Sequence, residues 1–186
     1  MIERRLCADE DDRARMSAVR GGDRAAFSEL VRDHQQNLVN LFRRLGADAH
    51  EAEDCAQETF LRVYRYRDRY EPTAPFRAFL HTLARHAWID SRRRSRRRRT
   101  VSVELTPEIE PAKPADDASF GERLDLAAAT LRLPDAQRWV LLLSAQQGLS
   151  YAEIAEILGV PIGTVKSRAF HAVRRLRELL HAQVEG

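Results

Sequence analysis

The chain has 186 residues, 44% of them hydrophobic and 32% charged, with a net charge of only +3. That is room for one medium domain or two small helical ones, and no apolar run reaches membrane-spanning length, so no membrane insertion is expected. No secretory segment follows Met1, which makes the cytoplasm the expected compartment, and Cys7 and Cys55 are too few and too isolated for a disulfide framework or a zinc site.

Residues 1–20 are charged and nearly aperiodic, which predicts a frayed or weakly helical lead-in. Gly21-Gly22-Asp23 marks a start, with Asp23 as N-cap. Phe27, Leu30, Val31, Leu38, Leu41, Phe42 and Leu45 then recur at helical spacing until Gly46. Asp48 and Glu51 open a second helix carrying Ala52, Cys55, Ala56, Phe60 and Val63, ending near Tyr66. A loop held by Pro72 and Pro75 follows. A third helix starts at about Phe76, turns Phe79, Leu80, Leu83, Ala84, Ala87 and Ile89 inward, and runs into seven arginines and a serine at 92–99. Residues 21–98 thus read as one helical domain.

Residues 99–118 change character. Pro107, Pro111 and Pro114 stand among acids with few apolar residues, the composition of a flexible linker. Residues 119–186 read as a second helical domain. Ser119 can cap a helix lined by Leu124, Ala127, Ala128 and Leu131, and Leu133-Pro134-Asp135 opens another with Trp139, Val140, Leu142 and Leu143. Next, Ser150 and Glu153 form a capping box, Ile154, Ala155 and Leu158 an apolar face, and Gly159 a left-handed stop. Pro161 can open a following helix, whose buried stripe is Val165, Ala169, Val173 and Leu176 and whose other faces are basic. A short helix, a glycine turn and a basic second helix make a helix-turn-helix suited to the DNA major groove. The expected fold is all-α, two small helical domains and a linker.

Three features carry possible chemistry. The helix at 48–66 presents Glu51, Glu53, Asp54, Gln57 and Glu58. Paired carboxylates can hold a hard cation or simply be solvated, but docking of a basic partner is the preferred reading. Aromatic and basic residues interleave from Tyr64 to Trp88, a pattern in which unpaired bases stack while guanidiniums hold phosphate. Phe76, Phe79 and Leu83 are expected in the core, and Tyr70, His86 and Trp88 on the surface. The arginine block should make DNA affinity steeply salt-dependent. His81 and His86, five apart, do not form a metal pair. No nucleophile elbow or phosphate-cradling glycine loop is found, so neither a catalytic site nor a cofactor is expected.

These residues resemble the extracytoplasmic-function (ECF) sigma factors of bacterial RNA polymerase, from about Gly22 to Leu180. Residues 53–64 (Glu-Asp-Cys-Ala-Gln-Glu-Thr-Phe-Leu-Arg-Val-Tyr) are similar to sigma region 2. Leu133-Pro134 and the run from Gly148 to Arg168 are similar to region 4. The resemblance implies a transcription initiation factor, with core RNA polymerase and promoter DNA, duplex and single-stranded, as partners, and an anti-sigma factor as a further candidate. It places polymerase docking on Asp54, Gln57, Glu58, Phe60 and Arg62. It places the melted minus-ten strand on Arg69, Tyr70, Thr73, Phe76, Arg77, His81, Arg85, His86, Arg92 and Arg93. The minus-thirty-five duplex falls to Thr164, Lys166, Ser167, Phe170, His171 and Arg174. Phe79 stands where the family commonly has Trp, a change that packing should tolerate, and His86 where it has Asn, a different donor near the DNA that leaves the preferred minus-ten sequence open.

Two other readings compete. Gly-Thr-Val-Lys-Ser also occurs in helix-turn-helix regulators that do not associate with core polymerase, but those need an effector domain, usually α/β, and residues 1–118 show no strand pattern. A metal-dependent nuclease would use the carboxylates at 51–58 and lacks supporting ligand groups.

Overall fold

The computed structural model describes residues 2–101 and 120–184, with side chains described for 9–97 and 126–181. Every regular element among them is helical: α1 (Ile2–Arg20), α2 (Arg24–Arg44), α3 (Ala49–Arg65), a 3-10 turn (Arg67–Arg69), α4 (Phe76–Val101), α5 (Phe120–Leu131), α6 (Asp135–Ala145), α7 (Tyr151–Leu158) and α8 (Ile162–Val184). The linker expected at 99–118 begins inside α4. Its residues 102–118, like the cap expected at Ser119, lie outside the described residues.

Caps fix the helix starts where short polar side chains predict them. The Asp23 carboxylate accepts from the backbone N–H groups of Ala25 and Ala26 at 2.8 and 3.1 Å. Asp48 accepts from Glu51 N–H at 2.8 Å. At the other end of α2, Gly46 takes φ +99°, a conformation that L side chains rarely adopt.

The first half is built on α2, which packs against α1 and α3, while α3 packs on α4. Leu30, Leu38, Leu41, Phe42, Ala52, Val63, Phe76, Leu80 and Ala84 are all buried there. The frayed lead-in is corrected. Residues 2–20 are one helix whose Met16 and Val19 are fully buried, and Asp12 accepts a 2.8 Å bond from His34 of α2. Among the described side chains one apolar pair a single turn apart suffices because polar contacts join it, and so short a stripe is passed over in a search for apolar periodicity.

In the second half α8 packs on α5, α6 and α7. Trp139, Val140, Leu142 and Leu143 are buried as the pattern predicts. On α8 the stripe is Val165, Ala169, Ala172, Leu176 and Leu179, whereas Val173 is 41% exposed. That corrects the expected stripe at one position.

The halves also touch. α4 packs against α7 and α2 against α5, and the larger apolar core runs through both. Arg138 of α6 joins them. Its guanidinium donates to the carbonyls of Thr130 and Leu133 at 3.1 and 2.8 Å, to that of Leu131, and across to Leu45 at the end of α2 at 2.8 Å. One buried side chain thus satisfies carbonyls at the ends of two helices, which otherwise lack partners.

Candidate polymerase and nucleic-acid interface

The outer face of α3 is acidic because its buried stripe (Ala52, Cys55, Ala56, Thr59, Phe60, Val63) leaves the other positions to charge. Asp54 and Gln57 are exposed and Glu58 is half-buried. With Asp48, Glu51 and Arg94 they border a concavity of about 570 Å³. Leu61, 54% exposed beside them, is an apolar surface residue that the charge pattern does not single out. Phe60 is interior. Arg62 is tied down, with Nε donating to Glu58 at 2.8 Å and Nη2 to Asp90 of α4 at 2.9 Å. The Cys55 thiol is buried at the foot of this face, and burial pushes its pKa up to about 11, so it stays protonated.

The loop after α3 is organised by Tyr70. Its ring is buried with an edge contact to Phe76 and a tilted one to Phe79, and its hydroxyl donates to the Ala74 carbonyl at 2.8 Å. Tyr70 was expected on the surface, as was Trp88, and both are interior; Trp88 stacks on Phe42 with ring centroids 6.0 Å apart. A phenol whose OH finds a carbonyl within its own loop loses nothing by burial. His86, the third residue expected outside, is exposed.

Phe76 and His81 are interior too. Burial, with the charges of His34 and Arg77 nearby, lowers the His81 pKa to about 4, so the ring is neutral at pH 7. What faces outward from the loop and α4 is Arg69, Thr73, His86, Arg92 and Arg93, with Arg85 half-buried. Arg69 lies 4.8 Å over the Tyr66 ring and Arg92 5.3 Å over that of Trp88. Ring faces help to hold both guanidiniums in place, and Arg92 also lies 3.9 Å from the Glu51 carboxylate. Arg77 is engaged, with Asp9 at 3.1 Å and Glu153 at 3.3 Å.

The helix-turn-helix has the geometry its sequence predicts. Ser150 N–H donates to the Glu153 carboxylate at 2.7 Å, and Glu153 N–H donates to the Ser150 hydroxyl at 3.3 Å. Burial would raise the Glu153 pKa, but the Ser150 bonds and the Arg77 guanidinium outweigh it and hold the carboxyl below its ordinary value. Gly159 ends α7 at φ +61°. On α8, Lys166, Ser167 and His171 are exposed and Thr164 half-buried. Phe170, 65% exposed with its edge against His171, and Val173 give this basic helix an apolar outer patch. Arg174 and Arg175 share Glu178 at 3.1 and 3.2 Å.

Two family models match the chain, one over the acidic and arginine-rich helices and one over the helix-turn-helix. The model for Sigma-70 region 2 matches residues 30–98, and that for Sigma-70 region 4 matches residues 123–176. SigL of Mycobacterium tuberculosis, an ECF RNA polymerase sigma factor, is 39% identical over 88% of this chain and 94% of its own length. This chain belongs to the ECF sigma factor family. The ECF sigma factor SigE of Mycolicibacterium smegmatis is 38% identical over 86% of the chain, which spans 64% of that relative's length. Among solved structures, the sigma factor RpoE of Bartonella quintana, crystallised with the anti-sigma factor NepR, is similar with a TM-score of 0.69 and 28% identity, over 83% of this chain and 96% of that one. Both sigma regions are present in order, so a regulator unconnected with polymerase is not the favoured reading. The acidic face of α3 and the arginines of α4 fall within region 2, and α7 and α8 up to Leu176 within region 4.

Proposed function

We propose that this sigma factor binds core RNA polymerase through the outer face of α3 and directs it to promoters. On this reading Asp54, Gln57, Glu58 and the exposed Leu61 form the docking patch, while Phe60 and Arg62 hold α3 in shape from beneath. Arg69, Thr73, Arg77, Arg85, His86, Arg92 and Arg93 face the melted minus-ten strand, and Tyr70, Phe76 and His81 set the loop and helix that carry them. Lys166, Ser167, Phe170 and His171 read the minus-thirty-five duplex, with Thr164 and Arg174 nearer phosphate. The work is binding: the factor supplies specificity and strand capture, and the polymerase supplies catalysis. Such a factor acts in the cytoplasm, where the polymerase is. The likeness to RpoE bound to NepR supports an anti-sigma factor as a further partner.

The observation that carries the reading is the separation of surfaces. An acidic face with an exposed leucine lies on α3, meeting the arginine array of α4 along the edge marked by Glu51, Arg92 and Arg94, and the outward Lys166–Phe170 patch lies on α8. A single regulator domain has no use for the first of these. A pull-down with bacterial core polymerase tests it. Wild type is expected to bind, and Asp54→Arg/Leu61→Arg, both exposed and outside the core, to lose binding while keeping its helical content. If wild type shifted duplex DNA but failed to bind core, the proposal would be wrong.

A further inference from the structure

Between α4 and the second half lies a cleft of about 400 Å³, a size common among small-molecule sites. Its walls are of two kinds. Trp88 and Ile89 of α4, Trp139 of α6, and Leu158 and Val160 at the end of α7 form an apolar floor. Arg85, Arg92, Arg93 and Arg96 of α4 stand around it, and Arg168 joins them from α8. Asp135 is the one acid among the lining residues, 3.5 Å from Arg138.

The cations of this cleft are not matched by acids. Arg92 lies over the Trp88 ring and near Glu51, but Arg85, Arg93 and Arg168 make no ion pair with a described residue. Arg85 and Arg168 are half-buried, where a guanidinium loses hydration and here gains no carboxylate in return. Like charges gathered around a partly apolar gap also repel one another. A ligand with several negative charges relieves both costs, because guanidiniums pair with phosphate through parallel N–H donors. Charge alone does not describe the site. An inorganic anion would leave the floor bare, whereas a flat ring can lie on the half-buried Ile89 and Val160 with a guanidinium over its face.

We propose that this cleft is a site for a nucleoside polyphosphate, with the phosphates among Arg85, Arg93 and Arg168 and the base on the apolar floor. The Asp135 carboxylate can accept a hydrogen bond from an amino group of the base. A promoter strand offers the same chemical groups but not the same reach. Arg168 belongs to the half read as facing the minus-thirty-five duplex, and Arg85 to the half read as facing the minus-ten strand. Those two elements lie roughly 55–60 Å apart at a spacing of about 17 base pairs. Only a small ligand touches both walls of one cleft. Arg85 and Arg93 also belong to the proposed minus-ten surface, so nucleotide and strand should compete for them. That consequence rests on the minus-ten reading; the site itself does not.

Calorimetric titration of the full chain with ATP tests the site. Tripolyphosphate, the phosphate chain without the nucleoside, and an oligo-dT strand of about a dozen nucleotides are titrated beside it. ATP is expected to bind one to one and about tenfold or more tighter than tripolyphosphate, the margin that a buried ring supplies. Two variants probe the wall contributed by the second half. Arg168→Ala removes a cation. Ala136→Asp sets another acid beside Asp135, at an exposed position in the first turn of α6 where a carboxylate suits the helix. Each should weaken ATP about tenfold, leave strand affinity within about twofold, and keep wild-type helical content. No ATP binding, tripolyphosphate binding as tight as ATP, or several ATP molecules per chain overturns the proposal. So does ATP binding that neither variant weakens, because the ligand would then sit elsewhere. A loss of strand affinity as large as the loss for ATP would make the cleft part of the strand path, and overturns it too. Core binding by wild type in the same preparation does not depend on the cleft, so the sigma reading stands or falls separately.

Discussion

His81 shows how one residue can look like a DNA contact and act as something else. It lies in the first half of α4 among arginines and aromatics, yet its ring is buried and its Nδ1 has no hydrogen-bond partner. Burial holds its pKa near 4 in the folded chain, against an ordinary 6.5. As pH falls below 6.5, the unfolded chain therefore takes up a proton that the folded chain refuses. Stability owed to the neutral ring is complete above that value and drains away as pH approaches 4. His81→Leu should flatten the decline: urea melts at pH 7 and pH 4.5 should show wild type losing on the order of 2 kcal/mol more than the variant. Parallel losses in the two proteins would mean that His81 is protonated in the fold. Tyr70 and Trp88 belong to the same lesson. Interleaved aromatics and arginines describe both a stacking platform and a core with a basic rim, and spacing alone cannot choose between them. The choice is made by partners distant in sequence: Phe42 for Trp88, and the Ala74 carbonyl with Phe76 and Phe79 for Tyr70.

At the scale of elements, what was legible in the sequence is what local chemistry decides. Asp23, Asp48 and Ser150 cap where short polar side chains should, Gly159 stops α7 in the left-handed region, and α4 starts at Phe76 just after Pro75. Two features were not legible. Among its described side chains α1 packs with Met16 and Val19 and polar contacts through Asp9 and Asp12, too short a stripe to register as amphipathic. Arg138 reads as an ordinary solvated charge between Gln137 and Trp139, and only the fold brings the carbonyls of α2 and α5 to its fork. Replacing it should be costly, because buried carbonyls would lose their donors together. Arg138→Met is expected to lower unfolding free energy by about 2–4 kcal/mol. Arg138→Lys should rescue little, since a point ammonium cannot match a planar fork of donors. A Lys variant as stable as wild type in urea melts would show that charge, and not the fork, is what the site needs.

For the whole molecule, the length of chain between the halves sets how far apart they can bind. Val101 ends α4 and Phe120 starts α5. The residues between can span about 65 Å at full stretch, by the length of the chain alone. That exceeds the roughly 55–60 Å between promoter elements 17 base pairs apart, with little to spare. The packing of the halves on each other makes no such demand, because its contacts are made by α2, α4, α5, α6 and α7 themselves. Shortening the connection should therefore separate two properties that a rigid two-domain protein would lose together. Deleting residues 105–114 leaves about 30 Å of reach. The shortened chain should melt like wild type. With core polymerase it should still bind a pre-melted minus-ten template or an isolated minus-thirty-five duplex. On a promoter carrying both elements at their natural spacing, footprinting should show protection of one element at a time, and initiation should fall to the level of a single-element template. Full protection of both elements by the shortened chain would mean that the halves bridge the promoter by a shorter path, with α4 or α8 reoriented along the DNA.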